Sequence, residues 1–162
     1  MPKRSSAPRR SLASGPKTAR QRELNTKRRG ELSELAFVHK AASLGFGVAK
    51  PYGDSERFDF ILVSRDWPQG DQLWRVQVKS TATLSQGFYH INAHRRTTGR
   101  VTAYKPSEVD FLVAHIIPED AWFIFPIEVL ATVTSPSFRP KRSRKKGPYD
   151  QYREAWHLLQ PK

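Results

Sequence analysis

The chain has 162 residues, and 38% of them are hydrophobic, which is enough for one compact core. The 28 Lys and Arg residues exceed the 15 Asp and Glu residues and give a formal net charge of +13, which favours a polyanionic partner. The lack of cysteine excludes disulfides, thiolate metal sites and cysteine nucleophiles, and no segment is apolar enough for a membrane span or a secretory signal. We therefore expect a cytoplasmic protein without membrane contact, nucleoid-associated if it is bacterial.

The positive charge is concentrated in two segments. Residues 1–29 hold ten basic residues and one acid, and residues 139–146 hold six basic residues and no acid. The remainder carries 12 basic and 14 acidic residues and is close to neutral. We expect residues 1–24 to form a disordered basic arm that binds nucleic acid. An organelle transit peptide is the alternative, but Pro2, Pro8 and Pro16 oppose the amphipathic helix that it needs.

The first half of the chain predicts one helix and several strands. Apolar residues recur at helical spacing from about Asn25 to Leu44, and glycines follow directly. Short apolar or alternating segments predict four strands, of which the second and third form a hairpin. These strands are expected over Phe46–Ala49, Arg57–Val63, Leu73–Ser80 and Gly87–Asn92.

The second half begins with a polar, basic segment, His94–Lys105, for which we expect an exposed loop. Two apolar strands follow, Phe111–Ile117 and Ala121–Ile127. We expect a basic linker over residues 135–148, and a helix from Tyr149 to Leu159 within a C-terminal segment, residues 149–162, that docks on the domain. The order of elements predicts an α/β domain with a mixed sheet over residues 25–134.

Polar residues on three neighbouring elements form the most informative pattern. Glu34 lies on the predicted helix, Asp59 on one strand, and Gln77 and Lys79 on the next. Side chains two apart on a strand share a face, so Gln77 and Lys79 point one way while Val76 and Val78 point the other. Polar residues buried between core positions are costly unless they form a cluster. Such a cluster can bind Mg²⁺ through oxygen ligands and hydrolyse a phosphodiester, with Lys79 orienting or deprotonating water.

With these residues the chain resembles the PD-(D/E)XK nuclease superfamily. It is most similar to the group I intron homing-endonuclease-like branch, which also resembles archaeal Holliday junction resolvases. The resemblance spans about Arg28 to Ile127. It rests on Arg29–Leu35, Pro51–Asp54, Arg57–Phe60, Arg75–Ser80, and Tyr104 followed by Val109–Phe111.

The resemblance implies a restriction-endonuclease-like three-layer domain, with a central mixed sheet flanked by helices. It implies that Glu34, Asp59, Gln77 and Lys79 are catalytic and that the first three bind Mg²⁺, with Mn²⁺ as an alternative ion. Gln77 stands where the superfamily has a carboxylate, although the homing-endonuclease-like branch also uses Gln-x-Lys. An amide oxygen carries no charge and binds a hard cation less firmly, so an inactive site is one interpretation.

The leading hypothesis is a metal-dependent DNA endonuclease, as a homodimer or higher homo-oligomer by analogy with the superfamily. One alternative is a noncatalytic DNA-binding protein that retains the nuclease fold, and another is a structure-specific junction or RNA-processing nuclease. His115 and the other single histidines are assigned no role. Basic residues without interspersed acids are expected to contact phosphates, namely Arg95, Arg96, Arg100, Arg139, Lys141, Arg142, Arg144, Lys145 and Lys146.

Overall fold

The computed structural model describes residues 19–53, 55–65 and 69–161. Residues 1–18 of the expected basic arm lie outside this part of the chain, and the remainder of that arm already belongs to a helix. Within the described residues, no helix combines the length and the apolar character needed to cross a membrane.

The single α-helix of the described residues, α1, runs from Ala19 to Ser43 and begins earlier than the apolar periodicity predicts. Lys40 lies in its last turn, where a positive charge complements the helix dipole. Gly45 adopts a left-handed conformation with φ 90°, and the amide of Phe46 donates to the carbonyl of Ala41 over 3.1 Å. This glycine therefore ends the helix and turns the chain into the first strand.

Ten strands follow the helix, and five of them form the central sheet. In chain order they are β1 (Gly47–Ala49), β2 (Phe60–Ser64), β3 (Gln72–Thr81), β4 (Leu84–Ser85), β5 (Phe88–His90), β6 (His94–Thr97), β7 (Arg100–Ala103), β8 (Phe111–Ile116), β9 (Ala121–Pro126) and β10 (Ser137–Phe138). The central sheet has the order β1-β2-β3-β8-β9. Its β3–β8 pair is parallel and its other pairs are antiparallel, so the predicted mixed sheet is confirmed.

The predicted hairpin of the second and third strands is present, with Phe60 opposite Val76 and Ser64 opposite Gln72. Asp59 was expected inside the strand but lies directly before it. Its amide still donates to the carbonyl of Val76 over 2.9 Å. Because β2 stops pairing here, β3 continues from residue 77 onward with one edge not covered by a strand of the described chain.

Two hydrophobic clusters pack on the two faces of the sheet. On one face Phe37 of α1 packs against Phe60 and Val76, together with Trp156 from the C-terminal segment. On the other face the buried side chains of β8 and β9 pack against Tyr89, Ile91 and Phe138. The α/β class is therefore confirmed, while the second face is covered by short strands rather than by a helix of the described chain.

The expectation of an exposed loop over His94–Lys105 is wrong, because β6 and β7 pair as a hairpin. Its two-residue turn consists of Thr98, with φ 49°, and Gly99, with φ 79°. Two successive positive φ angles are typical of a hairpin turn whose twist matches the strands. The basic residues obscured this signal, since charge suggested a loop.

The C-terminal segment also differs from its prediction. Instead of one helix it forms two 3-10 helices, Asp150–Tyr152 and Trp156–Leu159, and the expected linker contains β10, which pairs with β5. Between the two helices Glu154 has φ 51°, and its amide donates to the carbonyl of Trp122 over 2.7 Å. Pairing with β9 thus interrupts the helix, since a helix cannot adopt this backbone conformation.

Candidate active site

The uncovered edge of β3 and the middle of α1 line a cleft of about 300 Å³. All four residues that the sequence singled out line it, so the structure brings them together around one space. The lining residues are Thr26, Arg29, Gly30, Ser33, Glu34, Asp59, Gln77, Val78, Lys79 and Ser80. We refer to this space, the candidate active site, as the catalytic cleft.

Asp59 is fixed at this edge by two hydrogen bonds to the same carboxylate oxygen. Its Oδ2 accepts from the backbone amide of Val78 over 2.8 Å and from Nε2 of Gln77 over 2.6 Å. The Val78 amide would otherwise be an unsatisfied donor of the strand edge. Asp59 Oδ1 accepts no hydrogen bond among the described residues and is available to a ligand.

Burial raises the pKa of the Asp59 carboxyl, and the negative charge of Glu34 raises it further. The hydrogen bonds from Val78 and Gln77 and the charge of Lys79 lower the pKa but do not outweigh burial. A carboxylate whose charged form is disfavoured, beside a second carboxylate, gains from a cation at the same point. A cation at Asp59 would therefore offset the negative charge that burial disfavours.

Gln77 is buried, with 7% of its surface exposed, and its amide group has a defined role. Its Nε2 donates to Asp59 and, over 3.3 Å, to the carbonyl of Val78. Since the nitrogen faces these acceptors, Oε1 is the group left for a ligand. A carboxylate here would meet Asp59 Oδ2 as a like charge, whereas the amide donates to it.

Glu34 reaches the cleft from α1, but one of its oxygens already has a partner. Its Oε2 accepts from Nζ of Lys50 over 2.8 Å, and the side chains of Glu34 and Lys50 are 28% and 64% exposed. An ion pair this accessible is weak, so Glu34 can exchange Lys50 for another cation. Nothing in the sequence pattern indicated Lys50, which lies 16 residues away from Glu34.

Lys79 lies two residues beyond Gln77 on the same face of β3. Its Nζ is 5.8 Å from the centre of the Tyr104 ring, so the ammonium group faces an aromatic surface. Tyr104 belongs to the cluster on the far face of the sheet, whereas Val76 and Val78 belong to the cluster under α1. The predicted alternation of β3 is therefore confirmed.

The donor atoms of the cleft suit a hard divalent cation. The described residues contain no group of three His, Cys, Asp or Glu side chains around one point, so the site rests on two carboxylates and the amide oxygen of Gln77. Oxygen donors are the ligands that Mg²⁺ prefers. Two charges rather than three predict modest affinity.

The basic residues expected to contact nucleic acid fall into two groups. Arg95 forms an ion pair with Glu108 over 2.8 Å and Arg139 stacks on the Phe88 ring at 4.6 Å, so both act within the fold. The others are exposed, namely Arg96, Arg100, Lys141, Arg142, Arg144, Lys145 and Lys146.

Ser33 and Arg29 also line the cleft, and neither residue was assigned a role from the sequence. Ser33 Oγ lies 2.8 Å from Nδ1 of His115, whose ring stacks on Trp122 at 3.9 Å. This contact joins α1 to β8 behind the cleft. Arg29 and Ser33 are four residues apart on α1, and this helical spacing was the signal that would have placed the two on one face of the helix.

A helix glutamate, an aspartate before a strand and a Gln-x-Lys on the next strand of a mixed sheet define a nuclease of the PD-(D/E)XK class. A family model described as PD-(D/E)XK endonuclease matches residues 24–159, and the chain belongs to this family. Among solved structures the chain is similar to the bacterial homing endonuclease I-Ssp6803I, with 30% identity and a TM-score of 0.71, over 83% of this chain and 92% of that one. No curated protein matched the chain.

Proposed function

We propose that this protein is a DNA endonuclease that hydrolyses phosphodiester bonds and depends on a divalent cation. The observation that carries the proposal is the state of Asp59. One of its oxygens is fixed by Gln77 and Val78, the other is available, and burial beside Glu34 disfavours its charge. A carboxylate held in this way is suited to bind a cation.

In this proposal Asp59, Gln77 and Glu34 hold Mg²⁺, or alternatively Mn²⁺. When bound, the ion supplies Lewis-acid polarisation of the phosphate and offsets its negative charge. Asp59 contributes Oδ1 and Gln77 contributes Oε1. Glu34 would contribute its carboxylate after releasing Lys50. In the free protein, Lys50 balances the negative charge of Glu34.

Lys79 is the residue proposed to act on the attacking water. Lys79 lines the cleft, and its ammonium group faces the ring of Tyr104, so its position is restrained by an apolar surface. From there Nζ can orient water by hydrogen bonding and stabilise negative charge that develops on the phosphate.

DNA is proposed as the substrate on two grounds. The net charge of +13 and the exposed basic residues favour a nucleic acid, and a structure similar to this chain is that of a homing endonuclease. Cutting both strands requires two such sites, so we also propose a homodimer or higher homo-oligomer. A noncatalytic DNA-binding protein is the second candidate, since Gln77 replaces a carboxylate in the site.

The test is cleavage of supercoiled plasmid, a four-way junction and matched RNA, with Mg²⁺, Mn²⁺ or EDTA. We expect EDTA-sensitive DNA cleavage that falls by about 10³-fold or more in Asp59→Ala, while DNA binding in Ca²⁺ persists. Cleavage that survives in Asp59→Ala would overturn the site.

Two further results distinguish the alternatives. A wild-type protein that binds DNA without cutting, and cuts after Gln77→Glu, is a binding protein with a weakened metal site. Preference for the junction or for RNA would assign the structure-specific or RNA-processing function instead.

A further inference from the structure

Arg29 is unusual among the arginines of the described chain. Five of these arginines are half-buried, and four of them have a partner for the guanidinium: Arg75 has Asp110, Arg95 has Glu108, Arg153 has Glu119, and Arg139 stacks on Phe88. Arg29 is the fifth, and it forms no ion pair, hydrogen bond or ring contact with the described residues. A partly desolvated guanidinium without an anion is unfavourable unless a ligand supplies one.

The position of Arg29 indicates what that ligand is. Arg29 lines the catalytic cleft together with Asp59 and Lys79. It precedes Glu34 by five residues on α1, which corresponds to about 7.5 Å of helix rise. An anion at Arg29 therefore lies beside the metal ligands, displaced toward the N-terminal half of the helix.

Gly30 supports a ligand at the same place through a separate observation. It lies inside a helix and lines the cleft, and a Cβ at this position would meet no atom within 4 Å. Packing therefore does not require glycine, although glycine destabilises a helix interior relative to alanine. Open space beside an unpaired guanidinium is what close approach of a phosphate to the helix needs.

We propose that Arg29 forms a phosphate-binding subsite of the catalytic cleft and takes the backbone phosphate next to the scissile one. The guanidinium donates two parallel hydrogen bonds to the phosphate oxygens, which a lysine cannot reproduce. The subsite fixes the strand along α1, so that the neighbouring phosphate lies at Asp59 and Lys79. This inference rests on the proposed function, since the cleft must receive a nucleic acid.

The experiment compares Arg29→Ala and Arg29→Lys with Arg28→Ala, which removes the same charge from an exposed neighbour that does not line the cleft. Ala and Lys are good helix formers, and thermal unfolding verifies that each variant is folded. Binding of a short DNA duplex is measured in Ca²⁺ over a series of salt concentrations, and cleavage is measured in Mg²⁺.

We expect Arg29→Ala to reduce the slope of log affinity against log salt by about one and kcat/KM by about 10- to 100-fold. Arg29→Lys should keep the slope while kcat/KM still falls, and Arg28→Ala should change kcat/KM less than either. Gly30→Ala should raise the melting temperature and weaken DNA binding. Unchanged binding would overturn the close approach at Gly30.

Arg29→Ala that behaves like Arg28→Ala in both measurements would overturn the subsite. The proposed function is decided separately by cleavage in Asp59→Ala. If the wild-type protein binds DNA but does not cut it, the slope of log affinity against log salt still tests the role of Arg29. A wild-type protein without affinity for DNA would overturn both proposals.

Discussion

Two polar clusters lie on the same face of β3, two residues apart, and they differ in charge. Arg75 meets Asp110 with two guanidinium hydrogen bonds of 2.7 and 3.0 Å, and its backbone amide adds a third of 2.7 Å. Gln77 meets Asp59 with a single amide hydrogen bond of 2.6 Å. In the first cluster, Arg75 supplies a full positive charge to Asp110. In the second cluster, the neutral amide of Gln77 supplies no charge to Asp59.

Because of this difference, the pKa values of the two carboxyl groups are shifted in opposite directions. Burial raises the pKa of Asp110, but the hydrogen bonds and the charge of Arg75 outweigh it and hold that pKa below its usual value. Burial also raises the pKa of Asp59, where Glu34 adds to the effect and the amide of Gln77 does not overcome it. The strand β3 thus carries one charge-balanced pair, Arg75 with Asp110. Beside it lies a second pair, Gln77 with Asp59, in which the partner of the carboxylate carries no positive charge.

The largest expected effect on stability is that of breaking the charge-balanced pair. Asp110→Asn leaves Arg75 without its counter-charge and should lower the free energy of unfolding by about 2 kcal/mol. Chemical denaturation at neutral pH measures this loss. Glu128→Gln, an exposed acid nearby, is the control, and an equal loss in both variants would contradict the comparison.

His115 on β8 is another titratable group whose pKa is shifted by burial, and it lies behind the cleft. Burial lowers the pKa of His115, although the charges of Asp120 and Glu154 oppose this. As pH falls below the ordinary value of 6.5, the unfolded chain takes up the proton first, so stability is lost from there down to the lower pKa of the folded protein.

His115→Phe should remove this acid-dependent loss, while its ring can retain the stacking on Trp122. Ser33 loses its partner, so stability at neutral pH should be lower. Denaturation curves from pH 7 to about pH 5 measure the change. The control His39→Gln changes an exposed histidine and should keep the loss of stability at acid pH. If His115→Phe showed the same dependence of stability on pH as the wild type, the assignment of this loss to His115 would be refuted.

Asp59→Asn should change stability in the opposite direction from Asp110→Asn. In EDTA at neutral pH it removes a disfavoured charge while the amide oxygen can keep both hydrogen bonds, so we expect a gain below about 1 kcal/mol. Because the folded pKa of Asp59 is raised, protonation favours the folded wild type, and the gain should disappear as pH falls through that pKa. A less stable variant at neutral pH would contradict this.

The smallest effect is expected at Lys50, which provides the counter-charge of Glu34. Lys50→Met frees Glu34 for a cation and should strengthen Ca²⁺ binding by at most about 5-fold, since exposed pairs contribute up to about 1 kcal/mol. Calorimetric titration measures the affinity, with Lys27→Met on the exposed side of α1 as the control. Weaker binding in Lys50→Met would mean that Lys50 supports the site instead.

Much of the site was predictable because it depends on short-range periodicity. The alternation of β3 placed Gln77 and Lys79 on one face, and helical spacing placed Glu34 on a helix that packs nearby. The family resemblance was confirmed by the match over residues 24–159. These features need only the local pattern and one hairpin.

The features that were missed depend on contacts between distant segments. The helix expected from Tyr149 is interrupted because Glu154 pairs with Trp122, 32 residues away. Lys50 meets Glu34, and Arg95 is drawn into the fold by Glu108, through contacts that no periodicity reveals. Charge alone likewise did not distinguish the half-buried Arg29 from its exposed neighbour Arg28.

The local character of the β2–β3 hairpin has a consequence for the order of folding. Asp59 and Gln77 are 18 residues apart, whereas Gln77 meets its parallel partner Leu112 only after a further 35 residues. Closing the shorter loop costs less entropy, so we expect the hairpin to form before the parallel pair. Two of the proposed ion ligands therefore meet early, and Ca²⁺ is expected to accelerate refolding in stopped-flow experiments rather than only slow unfolding.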